Sequence, residues 1–218
     1  MNIRILFSFL LILRFNLSFS QQQQYAITLT PTILSPSAVG LQPGFQIYLR
    51  DQIISLTEIG YSIIPSSNKK FEKARIFKIA SEVKLKPSKS KTSVLYLSNQ
   101  FGHIFRNLID SDSGNFVKKM PADTAYYYTS AVVKSPVFFY LFKVGAEYNL
   151  GKRYLVDFFI GIGFRVVSTN YNAKNITAVE RRGPFRIRIK SGFESAWNCD
   201  CSLTRFHGTI GVRFGRRL

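Results

Sequence analysis

Tyr154-Leu-Val-Asp-Phe-Phe-Ile-Gly-Ile-Gly-Phe-Arg165, read with Phe206-His-Gly-Thr-Ile-Gly-Val-Arg-Phe-Gly215, decides the fold. In the first stretch Tyr154, Val156, Phe158, Ile160, Ile162 and Phe164 fall on one face of a strand, and Leu155, Asp157, Phe159, Gly161, Gly163 and Arg165 on the other. Side chains alternate along a strand, so the first face is bulky and apolar and the second is mostly small or charged. A soluble barrel places its bulky face inside. A barrel in a bilayer reverses this, with apolar residues against lipid and polar or small residues filling a narrow interior.

The same alternation recurs upstream in six further segments. They are Tyr25–Ile33, Leu41–Arg50, Ile53–Ile63, Ala74–Lys86, Thr92–His103 and Val133–Tyr148, which with the two above predict eight strands. A tilted strand needs about 9–11 residues to cross a bilayer, and these segments have that length or more. The connections after the second, fourth and sixth strands are short: Asp51–Gln52, Pro87–Lys91 and Asn149–Lys152. Those after the first, third, fifth and seventh are mostly longer: Leu34–Gly40, Pro65–Lys73, Ile104–Val132 and Val166–Arg205. Short turns at one end and long loops at the other are the signature of an up-and-down transmembrane barrel with both termini on the short-turn side. A ten-stranded barrel that recruits part of the long connections is the other reading.

Residues 1–20 have the form of a secretory signal, with Arg4 ahead of the apolar run Ile5–Leu13 and small residues Ser18 and Ser20 before Gln21. That run is too short to span as a helix, and no later stretch reaches the length a membrane helix needs. Gln21–Gln24 reads as a polar lead-in, and residues 25–218 as the barrel domain. The formal charge is +18, with a pI of about 10.1. A chain this basic suits a polyanionic partner. Export argues against nucleic acid and leaves anionic lipid, phosphorylated glycolipid, acidic polysaccharide or an acidic protein.

From Tyr25 onward the chain resembles the small eight-stranded outer-membrane β-barrels of Gram-negative bacteria, similar in plan to the membrane domain of outer membrane protein A. The Asn149-Leu-Gly-Lys-Arg turn, followed by the strand carrying Gly161 and Gly163, is most similar to uncharacterised small-barrel families. The resemblance implies an all-β antiparallel barrel in the cell outer membrane. It also implies a partnership with the barrel assembly machinery, which reads an aromatic residue at the end of the last strand. Here Gly211 and Phe214 alternate suitably, but the chain closes Gly215-Arg-Arg-Leu218. Barrels of this kind also host lipid A deacylases.

In this register Glu58, Glu82, Glu147 and Asp157 face inward, together with Arg50, Lys78, Lys84, Lys143, Arg165 and Arg213. An unpaired buried charge costs several kcal/mol, so four acids among six bases predict a packed ionic network. An eight-stranded barrel is only just wide enough to be filled by side chains, which favours a plug. The competing reading, from the excess of bases, is an anion-selective pore. Glu58 and Glu82 are also a candidate acid/base pair. A deacylase needs serine, histidine and an acid in sequence, and the two histidines are His103 and His207. His103 is expected at an outer strand end and His207 inside near the periplasmic end, neither with a serine partner. No catalytic residue, cofactor or metal site is assigned, and the leading expectation is a non-enzymatic protein with a structural or surface-interaction role. A secreted barrel holding an apolar ligand is the remaining class.

Cys199-Asp200-Cys201 is the chain's cysteine pair, and an exported protein permits a disulfide there, expected to be a tight ring. Free thiols and metal or redox chemistry are the alternatives. In the same long loop Arg181, Arg182, Arg186, Arg188 and Lys190 cluster, the last three alternating with Phe185, Ile187 and Ile189. Arginine's planar fork suits phosphate, so this segment is a candidate contact for phosphorylated glycolipid, or else a solvated basic continuation of the flanking strands. Tyr126-Tyr127-Tyr128 reads as an interface anchor rather than a ligand platform. Asn175-Ile176-Thr177 matches a glycosylation sequon, which carries little meaning in a bacterial setting.

Overall fold

The computed structural model describes residues 24–35, 38–50, 52–62, 73–87, 93–110, 114–118, 124–180 and 199–218. They form strands and no helix: β1 (Gln24–Ser35), β2 (Ala38–Arg50), β3 (Ile53–Ser62), β4 (Lys73–Leu85), β5 (Ser93–Asp110), β6 (Gly114–Phe116), β7 (Thr124–Tyr128), β8 (Ser130–Lys134), β9 (Val137–Leu150), β10 (Tyr154–Ser168), β11 (Asn170–Lys174), β12 (Thr177–Glu180) and β13 (Ser202–Arg217). Eight of them, β1 to β5, β9, β10 and β13, pair antiparallel in chain order, and β13 returns to β1 to close the barrel. The eight predicted segments are therefore the eight barrel strands. The predicted signal segment 1–20 and the basic cluster at 181–190 lie outside the described residues.

The polarity of the barrel is inverted relative to a soluble one. Phe158, Ile160, Ile162 and Phe164 are exposed on the outside, as are Phe45, Ile59, Leu97, Phe101 and Phe142 on other strands. Inside, Glu58, Glu82, Lys84, Lys143, Glu147, Asp157 and Arg213 are buried. Glycine makes this narrow interior possible where large side chains lean across it. A Cβ on Gly145 would sit 2.4 Å from the Tyr96 ring of the adjoining strand, and one on Gly211 would sit 2.5 Å from Phe159. Tyr148 and Tyr154 stand exposed near the short-turn end, where amphipathic rings suit a membrane–water boundary.

The long-connection end differs from the sequence reading. Residues 104–132 and 166–205 were expected as loops, yet β5 continues to Asp110 and β10 to Ser168. Beyond them β8 pairs with both β5 and β11, while β6, β7 and β12 form a separate three-stranded sheet. This outer extension has a core of the opposite kind: Leu108, Phe116, Tyr128, Ala131, Val133 and Tyr171, with Phe116 stacked on Tyr171 at 4.5 Å. The predicted strand 133–148 is interrupted at Ser135-Pro136, where Ser135 N–H donates to the Arg106 carbonyl at 2.9 Å. The predicted loop 34–40 also shrinks, because β1 and β2 stay paired as far as Ser35 opposite Ala38.

Closure between β1 and β13 is partial. Their ladder runs only from Ala26/Arg217 to Leu29/Phe214. Above that point β1 pairs with β2 and β13 with β10, and no described strand lies between β1 and β13. Pro31 supplies a physical cause. Leu218 N–H donates to the Tyr25 carbonyl at 3.0 Å, so the main chain of Tyr25 points to β13. Peptide groups alternate sides along a strand, so Pro31, six residues on, turns toward β13 a nitrogen that carries no hydrogen.

Candidate functional site

The interior is organised around Arg213, which is 0% exposed. It comes from β13 and reaches four other strands. Its Nη1 donates to Asp157 Oδ2 on β10 at 2.5 Å and its Nη2 to Glu82 Oε2 on β4 at 3.0 Å. Its Nε is 3.1 Å from Glu58 Oε1 on β3 and 3.2 Å from Thr30 Oγ1 on β1. One planar guanidinium thus holds three carboxylates across the lumen, which a lysine's point charge would not do with the same geometry. Its carbon also lies 5.0 Å from the centre of the Phe159 ring.

Around this hub each acid is supplied with donors. Glu82 accepts from Lys143 at 3.0 Å and from Ser98 at 2.7 Å, and Glu58 from Thr30 at 2.7 Å and Gln100 at 3.1 Å. Asp157 takes the Lys84 ammonium at 2.6 Å and the Tyr96 hydroxyl at 2.7 Å. Toward the short-turn end Glu147 accepts from Tyr48 at 3.0 Å and Gln46 at 3.2 Å, with Lys84, Lys86 and Arg217 within 3.6 to 3.8 Å. Buried carboxylates without donors would each cost several kcal/mol, and this arrangement meets that cost with charge-assisted bonds from five strands or more.

Of the residues read as interior from sequence, the network unites Glu58, Glu82, Lys84, Lys143, Glu147, Asp157 and Arg213. Lys78 faces inward above it, 5.0 Å over the Phe139 ring. Arg165 is half-buried on the inner face of β10, directly across from Arg205 of β13. Arg50 closes β2, and its side chain is outside the described set. Sequence reasoning missed Tyr96, Lys86 and Arg217 as members. All three have the strand parity of the interior face, so the period-2 pattern contained the signal.

Glu58 and Glu82, the candidate acid/base pair, are both held by Arg213 within the buried network. His103 is not at a strand end, because β5 runs seven residues past it; its ring stacks on Phe105 at 4.3 Å. His207 does face inward, opposite Gly163, but it lies toward the long-connection end. The eighth barrel strand starts at that end and finishes beside Tyr154, which corrects its expected periplasmic position. The two histidines stand on strands that are not neighbours.

In the outer extension Cys199 and Cys201 form a disulfide, with Cα atoms 5.2 Å apart. Cys199 also bridges to Val117, and Asp200 N–H donates to the Val117 carbonyl at 2.7 Å. The tyrosine run is not an interface anchor as a unit. Tyr128 is buried with its hydroxyl 2.6 Å from Asp110, Tyr126 stacks on Phe116, and only Tyr127 is exposed. Burial and the Asp110 hydrogen bond both hold the Tyr128 phenol well above its ordinary pKa. Among the described residues no group of three or more metal-ligating side chains comes together.

No protein-family model matches this chain, and neither does any curated protein. Among solved structures it is similar to a major outer membrane protein from Thermus thermophilus, at 9% identity and a TM-score of 0.47, covering 91% of this chain and 100% of that one. A likeness this distant carries no functional weight.

Proposed function

We propose that this protein is a non-enzymatic, integral outer-membrane barrel, delivered after removal of residues 1–20. Its interior is closed by ion pairs, and its outer extension works as a structural or surface-contact element. The observation that carries the reading is Arg213: a fully buried guanidinium bound to three carboxylates from three strands is a cross-brace. A conduction path would need to leave such groups to water, and an eight-stranded barrel has little room for both. The apolar exterior supports the membrane placement, because a soluble monomer rarely leaves contiguous apolar patches beyond a few hundred Å² uncovered. The basic segment at Arg181, Arg182, Arg186, Arg188 and Lys190 is proposed as a contact for phosphorylated glycolipid, and the barrel assembly machinery as the partner during insertion.

The test is reconstitution. Purified protein is expected to stay in carbonate-washed membranes, to change gel mobility on boiling, and to give no conductance steps in a planar bilayer. Release by carbonate would return the protein to the secreted class. Stable anion-selective steps would replace the plug with a pore.

A further inference from the structure

The open length of the β1–β13 seam lies at membrane depth. The ladder stops at Leu29/Phe214, yet outward apolar residues continue up β13 through Ile210 and Phe206. These two are 82% and 76% exposed, the highest values among the large apolar side chains of the described residues, as expected where no neighbouring strand covers one flank. Phe206 is level with Phe164 and Tyr140 on the next two strands, so the opening occupies the upper half of the apolar belt rather than its rim.

Main-chain groups at this edge have no described partner. Leu218 points its N–H at β1, so the alternation directs the peptide groups of Val212, Ile210, Gly208, Phe206 and Thr204 the same way. In a bilayer such groups must be satisfied, since each one left alone costs several kcal/mol. Ordinary zipping of β1 onto β13 meets an obstacle at its first step, because Val212 would face Pro31 in the continued register.

Immediately behind the seam the interior is basic. Arg205 and His207 lie on the inner face of β13, and Arg165 is the cross-strand partner of Arg205. Lys78 of β4 faces the same lumen, over the Phe139 ring. Gly161 and Gly163 face Thr209 and His207 across the ladder, which leaves the wall beside this cluster thin. The plug built on Arg213 forms the floor below, and Thr30 at the foot of the seam is bonded to it.

We propose that the β1–β13 seam is a lateral portal for a phosphorylated lipid of net negative charge in the outer leaflet, whose head group carries no ammonium for the basic cluster to repel. The inference rests on the membrane placement proposed above. The phosphate accepts hydrogen bonds from the basic cluster of Arg165, Arg205, His207 and Lys78, and from the open main-chain edge, while an acyl chain lies outside along Ile210 and Phe206. Arginine pairs with phosphate through two parallel bonds, and two arginines opposite each other on adjacent strands present such forks side by side. A β-strand from another chain would satisfy the main-chain edge but make no use of the four bases, so charge complementarity favours the lipid.

The test uses the full mature protein in lipid nanodiscs and two probes, phosphatidylglycerol and phosphatidylcholine carrying the same photoreactive acyl chain. The anionic probe is expected to label residues 30–35 and 203–212 preferentially. Arg165→Gln combined with Arg205→Gln and His207→Gln is expected to lower that labelling on the order of tenfold, with the boiling-dependent gel shift kept. A second variant, Ile33→Cys with Ile210→Cys, joins positions that would be opposite in the continued register, and its oxidation is expected to abolish labelling reversibly. Equal labelling by phosphatidylcholine, even labelling around the belt, or labelling that survives the closed disulfide would overturn the portal. So would displacement by inorganic phosphate, which would make it a water-side anion site. The two-lipid comparison on the wild type needs no variant to fold. Failure of the membrane reading would look different, since the protein would not enter the nanodisc at all.

Discussion

The barrel and its outer extension share strand β5, yet their cores have opposite chemistry. Along β5, the side chains turned inward change from Ser98 and Gln100, bonded to glutamates, to Leu108, packed on Phe116 and Tyr171. The outside of the barrel is apolar along its belt, while the extension buries Phe116, Tyr128 and Tyr171 and leaves Lys134 and Asn172 exposed. What changes along the strand is the solvent. Where lipid lies outside, the hydrophobic effect gives no reason to put apolar groups inside, and the interior must satisfy its polar groups internally. Where water returns, burial of apolar surface becomes the driving force again.

The contrast breaks most severely at its hub. Arg213→Met removes the one cation shared by Glu58, Glu82 and Asp157, leaving Glu82 to Lys143, Asp157 to Lys84 and Glu58 to the neutral donors Thr30 and Gln100. Losing one side of a buried ion pair costs about 3–5 kcal/mol. The expected result is a barrel that loses its heat-resistant gel form at a much lower temperature, while an unchanged transition would mean the network does not brace the fold. A smaller but more discriminating effect comes from placing the same charge on two similar exposed apolar sites. Ile160→Lys, in the middle of the belt at 59% exposure, is expected to cost about 2–4 kcal/mol in bilayer refolding. Val132→Lys, in the extension at 40% exposure, is expected to be within about 0.5 kcal/mol of the parent. Equal effects at both sites would erase the boundary between lipid and water drawn here.

How far each region could be read beforehand follows from the same change of solvent. In the barrel one strict alternation separated the faces, so the inward acids and Lys84, Lys143 and Arg213 could be read from residue parity alone. Their partners could not, since parity says that Tyr96 and Asp157 both face inward but not that strands β5 and β10, on either side of β9, bring them within 2.7 Å. In the extension the alternation blurs. Past His103, β5 carries Phe105, Asn107 and Ile109 on one face and Arg106, Leu108 and Asp110 on the other, so neither face is uniformly apolar and the strand looked like a loop. The seam was readable in principle, because Pro31 in a barrel strand marks a position where a neighbour cannot be paired normally.

The smallest effect tests whether the extension is an ordinary water-side core. Tyr128 lies among Phe116 and Tyr171 and donates its hydroxyl to Asp110, a carboxylate that is itself fully buried. Tyr128→Phe keeps the ring and removes only the donor, so the aromatic packing survives while Asp110 Oδ2 loses its partner. A buried acceptor left without a donor costs about 1–3 kcal/mol, more when the acceptor is charged. The variant is therefore expected to make the extension more susceptible to limited proteolysis, with the gel shift of the barrel as internal control. Unchanged proteolysis would mean that the hydrogen bond from Tyr128 to Asp110 does not hold the extension together. A gel shift that moved together with the proteolysis would mean that the two cores are one cooperative unit, despite their opposite chemistry.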